Sequence, residues 1–366
     1  MKYSTGYQKL SFLRRKILIN ILVTAIGGGG HGEQVLKALN MSMNKRYRVY
    51  GTDANSNCPQ KNQVYAFETM PYANDPLYMD KLFVLFEKFR IDVLIHGCEP
   101  ELELFNKNRK EITDRNVLLL LNSSEVIEIG MNKKKTSDFL FNNGFNPPQY
   151  LEINNSNEVD LIDWYPAVVK PIIGGGGSSN VYIVQSKSEL LNLAGYLHLD
   201  EVEGKFMVQE YVGSSDQEFT VGVLSSLDGE IINSIALKRM MSGQLNIRSK
   251  LSNRTSKSEL GKNLVISSGV SQGHLGKYPQ VTKQCEVIAQ KINSKGPLNI
   301  QCRLVNGEVK VFEINPRFSG TTSLRAMVGF NEPDILIRRH LLGETIEKNF
   351  NFAEQTIMRT LDERFI

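Results

Sequence analysis

The sequence predicts an α/β protein in which a doubly wound parallel sheet is followed by a second, strand-rich domain. Three observations carry that prediction. They are a strand–glycine turn–helix–strand opening over 17–53, four consecutive glycines between two short strands at 174–177, and a hairpin over 298–314 with one polar face.

Residues 1–16 are polar and basic and read as an extension. Arg14-Arg15-Lys16 then precede an apolar run, 17–26, in the manner of a signal peptide. That run contains Asn20, lacks a small-residue cleavage site and leads directly into glycines, so a buried first strand is expected instead. It is also too short to span a membrane. Gly27-Gly28-Gly29-Gly30-His31-Gly32 forms the turn, 33–40 a helix and 47–53 a second strand, which is a βαβ opening. On its own this turn, with Asp53 where a ribose-binding acid would stand, suggests a dinucleotide enzyme. The competing reading, which we favour, is a glycine turn that packs the first strand tightly on its helix.

A strand over 91–95 ends in a loop, and Cys98-Glu99-Pro100-Glu101-Leu102-Glu103 opens a helix. Acids in a first helical turn suit the helix dipole. Strand ends in open α/β sheets are also where ligands bind. Residues 117–121 read as another buried strand, closing this domain near Asn122.

Lys133-Lys134-Lys135 precede a helix over 137–142 and read, taken alone, as a solvated face. A short strand, 165–171, carries Lys170 near its end and leads into Gly174-Gly175-Gly176-Gly177-Ser178, with 181–184 as the return strand. Glycines bring no side chains to a core and carry a large entropic cost, so this run suits a mobile flap whose N–H groups close on phosphate oxygens. No Gly-Lys-Ser/Thr follows, so it is not a Walker A loop. Strands are expected over 206–212, from 216, and up to Arg239, with a loop or irregular edge over 243–250. His274 lies between glycines and reads as local structure.

The hairpin pairs 298–305 with 309–314 around Asn306-Gly307. Glu313 and Asn315 share a face. A two-residue turn would put Gln301 opposite Phe312, facing away from Glu313. A three-residue loop, Asn306-Gly307-Glu308, would put Gln301 opposite Glu313 and stack Ile300 and Cys302 with Ile314 and Phe312. The three-residue loop is the expectation. One carboxylate with two amides on one face, and Arg317 beyond it, suits hard divalent cations that share phosphate oxygens. An ordinary edge hairpin with a solvated polar face is the alternative. Residues 334–342 read as a helix broken at Gly343, and 351–366 as a tail.

The chain has 366 residues, 41% hydrophobic and 22% charged, with a net charge of +4. This describes an ordinary globular protein, and its scattered Lys and Arg argue against nucleic-acid or membrane-surface binding. Cys58, Cys98, Cys285 and Cys302 are far apart in sequence, which points away from zinc and disulfides and toward a reducing, cytoplasmic location.

Gln301, Glu313, Asn315, Pro316 and Arg317, continuing through Phe318-Ser319-Gly320, resemble the metal-binding strand pair of the ATP-grasp superfamily, most closely the ATP-grasp domains of the carbamoyl-phosphate synthase large subunit. The resemblance covers roughly residues 17 to 345. It implies an α+β grasp fold: a Rossmann-like pre-ATP-grasp domain over 17–122, then a two-lobed ATP-grasp domain over 123–350. The lid lobe would span about 150–211 and the metal-binding lobe about 212–350, flanked by the 1–16 extension and the 351–366 tail. It implies ATP with Mg²⁺ or Mn²⁺, two ions in all, held by Gln301, Glu313 and Asn315. Lys133, after Asn132 where Asp is commoner, and Lys170 would reach the phosphates under the flap. Glu210, Tyr211 and Val212 would flank the adenine, and Glu218 would accept from the ribose. Arg239, Arg248 and Arg317 would hold an anionic acceptor, and Glu101 matches an acidic substrate position.

The activity implied is a stand-alone ligase. A carboxylate would be phosphorylated to an acyl phosphate, then attacked by an amine or ammonia, releasing ADP and phosphate, with Arg317, Arg239 and Lys170 as catalytic residues. No nucleophile triad is visible and none is needed, since phosphoryl transfer rests on positioning and charge neutralisation. One alternative is a split-synthase half that phosphorylates bicarbonate or another small carboxylate with a partner subunit. Another is a nucleotide-binding regulatory module. No biotin carrier, amidotransferase or second synthase half is recognisable, so carbamoyl phosphate is not the expected product of this unit alone. A homodimer is common among such enzymes, but no interface can be read from the sequence.

Overall fold

The computed structural model describes residues 18–44, 46–174, 176–200 and 206–363. The expected 1–16 extension, Gly175 and the first residue of the expected opening strand lie outside them.

Strand β1 (Ile19–Val23) is apolar and buried nearly throughout, as an inner parallel strand with helices on both faces must be. Helix α1 (His31–Asn40), strands β2 (Tyr47–Asp53) and β3 (Ala66–Thr69), helix α2 (Tyr78–Phe89), strand β4 (Val93–Ile95), helices α3 (Glu99–Lys107) and α4 (Arg109–Asp114) and strand β5 (Leu118–Leu119) complete the first domain. All its strand pairs are parallel, in the order β3-β2-β1-β4-β5. The order reverses between β1 and β4, so their carboxyl ends flank the crevice of a doubly wound sheet.

The glycine turn serves close packing. A Cβ on Gly32 would meet the Ala25 carbonyl at 2.3 Å, and one on Gly97 would meet that of Thr24 at 1.8 Å. Asp53 is committed locally, with Oδ2 accepting from Gly27 N at 2.8 Å and Oδ1 from Asn55 N at 2.9 Å.

Helices α5 (Ser124–Gly130) and α6 (Lys133–Asn142) lead out of this domain. Asn132 caps α6 through its side chain, which accepts from Lys135 N at 2.9 Å, the task an Asp would perform equally well. A small lobe follows: β6 (Tyr150–Ile153), β7 (Ala167–Pro171), β8 (Tyr182–Val184), helix α7 (Lys187–Tyr196) and β9 (Phe206–Glu210), paired antiparallel as β6-β9-β7-β8. It has its own apolar core, including Ile153, Val169, Val184, Leu190 and Val208.

The large lobe contains β10 (Glu218–Ser225), β11 (Ile231–Arg239), β12 (Ile247–Ser252), β13 (Asn263–Ser267), β14 (Gly273–Gly276), helix α8 (Pro279–Lys291), β15 (Pro297–Val305), β16 (Glu308–Asn315), helices α9 (Thr322–Met327) and α10 (Glu332–His340) and β17 (Gln355–Ile357). Its main sheet runs β16-β15-β10-β11-β14-β17, and β12-β13 form a separate ribbon. Helix α8 covers one face over Val221, Ile300 and Ile314. The other face shares one continuous core with the first domain, from Ile21 and Val35 through Leu224 and Ile235 to Phe318 and Leu336. This shared core fixes the first domain against the large lobe.

The structure departs from expectation in several places. The hairpin turn has two residues, not three: Asn306 (φ 51) and Gly307 (φ 84) make a type I′ turn with Val305 opposite Glu308. Gln301 still faces Glu313, because a bulge between Gln301 and Cys302 makes Val311 the partner of Cys302 and leaves Phe312 unpaired. The edge expected over 243–250 is strand from Ile247, and His274 sits in β14, its Nδ1 2.8 Å from the Tyr278 hydroxyl. Within the expected tail, Gln355–Ile357 pair with β14.

Candidate active site

One cavity lies between the two lobes and reaches the first domain. It collects Lys133, Lys170, Gly177, Ser178, Glu210, Tyr211, Val212, Glu218, Arg239, Gln301, Glu313, Asn315 and Arg317 from segments scattered over the sequence.

Lys170 closes β7, buried at 6% exposure, and donates to Gln209 Oε1 at 2.8 Å and Phe312 O at 3.0 Å. Burial, reinforced by Lys133 and opposed by Glu313, pushes its pKa down to about 7. Lys133 stands at the start of α6 with Nζ 2.5 Å from the Gly174 carbonyl, which places it at the flap's base. Lys134 and Lys135 pair outward with Asp138 and Glu128. The flap lies on the large lobe: Ser178 Oγ donates to Ser267 O at 2.7 Å, and a Cβ on Gly269 would sit 3.3 Å from Gly177 Cα. Gly174 belongs to the flap without lining the cavity, and Gly175 lies outside the described residues.

On the hairpin, Glu313 is bracketed by two amides. Gln301 Nε2 donates to Oε2 and Asn315 Nδ2 to Oε1, each at 3.1 Å. The neighbouring even-spaced positions complete a polar stripe along β15, with Asn299, Gln301 and Arg303 lining the cavity while Leu298, Ile300 and Cys302 are buried. Asn299 Oδ1 accepts from Thr220 Oγ1 at 2.9 Å. Period-two alternation alone would have found Asn299 and Arg303, which the sequence analysis passed over.

Glu218 is buried between two arginines. Arg303 donates from Nε and Nη2 to Oε2, at 3.1 and 2.9 Å, and Arg239 Nη1 lies 3.3 Å from Oε1. Its first duty is therefore to hold guanidiniums, and of its two carboxylate oxygens Oε1 is left without a hydrogen bond. Arg303 stacks over the Tyr211 ring at 4.4 Å and donates to Val212 O at 3.1 Å, which fixes the segment after β9. Burial lowers the pKa of Arg239, opposed by Glu218 and Glu313.

Two expected substrate residues are not in the cavity. Glu101 is buried in the first domain, accepting from Thr24 Oγ1 and Tyr78 OH, both at 2.6 Å, and from Gly97 N at 3.1 Å. Its carboxylate stitches loops together. One turn-start earlier, Glu99 lines the cavity and meets Arg317 Nη2 at 2.8 Å. Arg248 is exposed on β12 and outside the cavity.

The residues fit an anionic, metal-bearing ligand. Gln209 Nε2, Glu218 Oε1, Arg239 Nε and Arg317 Nε are buried atoms without a hydrogen-bond partner, and all four belong to residues lining this cavity. Unpaired buried polar atoms are costly unless a ligand meets them. One carboxylate with two amide side chains is the oxygen-rich donor set of Mg²⁺ or Mn²⁺ rather than of zinc. Among the described residues, no helix is long and apolar enough to cross a membrane.

Residues 203–363 match the family model described as ATP-grasp in the biosynthetic pathway with Ter operon, and residues 21–120 match PylC-like, N-terminal domain. No curated protein sequence matches the chain. Among solved structures, N5-carboxyaminoimidazole synthetase from Staphylococcus aureus, complexed with ADP, is similar at 13% identity over 93% of this chain and 81% of that one, TM-score 0.61. An L-amino acid ligase from Bacillus licheniformis is 18% identical over 89% and 75%, TM-score 0.58. D-alanine–D-alanine ligase from Bacillus anthracis, complexed with ATP, is 13% identical over 90% and 98%, TM-score 0.54.

Proposed function

We infer that this chain is an ATP-grasp protein, and on that footing propose that it is an ATP- and Mg²⁺-dependent ligase joining a carboxylate to an amine. The observation that carries the proposal is the convergence on one cavity of Lys133 and Lys170, the flap, the Gln301/Glu313/Asn315 set and the Arg239/Arg317 pair.

Lys170 and Lys133 hold the phosphates as point charges, and the backbone of Gly177 with Ser178 closes over them. The Glu210–Tyr211–Val212 segment runs beside the base, and Glu218 Oε1 is the acceptor left for a ribose hydroxyl. Gln301, Glu313 and Asn315 would hold the divalent ions, which supply charge neutralisation at the transferring phosphoryl group. Arg239 and Arg317 draw the carboxylate toward the triphosphate. A carboxylate oxygen attacks the γ-phosphorus, the bond to the β-bridging oxygen breaks, and ADP leaves. The amine nitrogen then attacks the acyl carbon, phosphate departs and the nitrogen loses a proton. The closed flap excludes water, which would otherwise hydrolyse the acyl phosphate.

The test is ATP, Mg²⁺ and hydroxylamine with a panel of carboxylates, scoring hydroxamate and ADP together. Carboxylate-dependent hydroxamate is the expected result. Absence of any Mg-ATP binding would remove the proposal.

A further inference from the structure

Glu99 and Arg317 come from different domains and meet inside the cavity. Glu99 starts α3, directly after β4, at the crevice where the parallel sheet reverses its strand order. Arg317 follows β16 on the metal-type hairpin. Its Nη2 donates to Glu99 Oε1 at 2.8 Å and to Asn315 Oδ1 at 3.2 Å, its Nη1 donates to Phe318 O at 3.0 Å, and its Nε is buried without a partner. Burial alone would raise the Glu99 pKa, yet Arg317, helped by Lys133, holds it below the usual carboxylate range.

An arginine already neutralised by a carboxylate has little attraction left for a second anion. In this arrangement Arg317 is therefore withheld from an anionic ligand in the cavity it lines. Glu99 is the one described residue of the first domain on the cavity lining, so the cavity reaches the crevice at its carboxylate. A cationic group entering there faces the Glu99 carboxylate.

We propose that Glu99 is a latch on Arg317, released when a cationic amine in the β1/β4 crevice takes over its carboxylate. The exchange swaps one cation for another on Glu99, so no buried charge is left unpaired, and the guanidinium becomes available to the triphosphate only when an acceptor is present. Glu99 is thus a positioning residue that ties occupancy of the first domain to chemistry in the second. The inference rests on the function proposed above.

The experiment compares Mg-ATP and Mg-ADP binding by isothermal titration calorimetry, at fixed pH and salt, in the full chain without any acceptor. Glu99→Gln is expected to raise the preference for Mg-ATP over Mg-ADP by about tenfold, the scale of one charge-assisted hydrogen bond to the third phosphate. The double variant Glu99→Gln with Arg317→Gln should return the ratio to the wild-type value. Glu99→Asp, too short to reach the guanidinium in place, should shift the ratio in the same direction and serves if the first variant folds poorly. A general structural defect would weaken both nucleotides together and leave the ratio alone. An unchanged ratio in both single variants overturns the latch, and a lowered one shows instead that Glu99 aims Arg317 at the phosphate. Wild-type protein that binds neither nucleotide overturns the proposed function along with the latch, whereas normal wild-type binding with an unmoved ratio overturns the latch alone.

Discussion

Lys170 donates a hydrogen bond to the main-chain carbonyl of Phe312, 3.0 Å away across the lobe boundary. Phe312 is the residue that the β15–β16 bulge leaves unpaired, so its carbonyl is free of the ladder and turned toward the cavity. The irregularity that keeps Gln301 opposite Glu313 thus also supplies an acceptor for the lysine at the flap's base.

That lysine gives a pH signature. Its pKa is held at about 7 by burial and by Lys133, with Glu313 opposing. A polyanionic nucleotide favours the protonated form, so binding raises the pKa and takes up a proton. Affinity should be full below pH 7 and fall as pH rises above it, by up to about tenfold per pH unit. Titration calorimetry from pH 6 to 9 checks this, and Lys170→Met should flatten the profile as well as weaken binding.

Glu313→Gln removes the single carboxylate between the two amides while keeping their hydrogen-bonding size. Lost charge neutralisation is worth several kcal/mol, so Mg²⁺-dependent ADP formation should drop by roughly a thousandfold. Melting temperature should hardly move. Near-normal turnover across a Mg²⁺ series would remove the metal assignment.

The Arg325–Glu332 pair is the large lobe's internal brace. Both side chains are essentially fully buried, 3.0 Å apart, and Arg325 Nη2 also reaches Asn299 Oδ1 at 2.7 Å. Arg325→Met leaves Glu332 charged and unpaired, at a cost of about 3–5 kcal/mol. Adding Glu332→Gln should recover part of that loss. Gly222→Ala should also destabilise, since its Cβ would sit 2.3 Å from Arg325 Nη1. Urea denaturation of the four proteins orders them directly.

Period and punctuation made much of this legible in the sequence. The buried run of β1, the glycine turn, the flap and the Glu313–Asn315 face all follow from alternation and from what glycine permits. What escaped was decided by packing. The bulge at Phe312 has no local mark, because an apolar residue among apolar residues reads the same paired or unpaired. Glu99 and Glu101 sit in one helical turn, and only the docking of α3 against Thr24 and Tyr78 decides which faces the cavity. β17 is three residues long and largely exposed, so nothing but its pairing with β14 makes it a strand.

The first domain should also be acid-sensitive. His31 Nε2 and His96 Nδ1 lie 3.3 Å apart, and both rings are buried. Burial, then the nearby Arg317, pushes His96 down to about 3 and His31 well below its ordinary value, with Glu99 partly opposing at His96. Both rings are therefore neutral in the folded protein, while the unfolded chain protonates them below about pH 6.5. The unfolded state then binds more protons, so stability is full above pH 6.5 and is lost as pH falls toward 3. The slope is about 1.4 kcal/mol per pH unit for each histidine. Between pH 6.5 and 5 most carboxylates remain ionised, which isolates the imidazoles. Unfolding free energies at pH 7 and 5.5 should differ less in His96→Asn than in wild type, by about one proton's worth of slope. The comparison uses the slope, so any packing loss common to both pH values cancels. An unchanged slope would mean that His96 is protonated in the folded state, and the buried neutral pair would have to be abandoned.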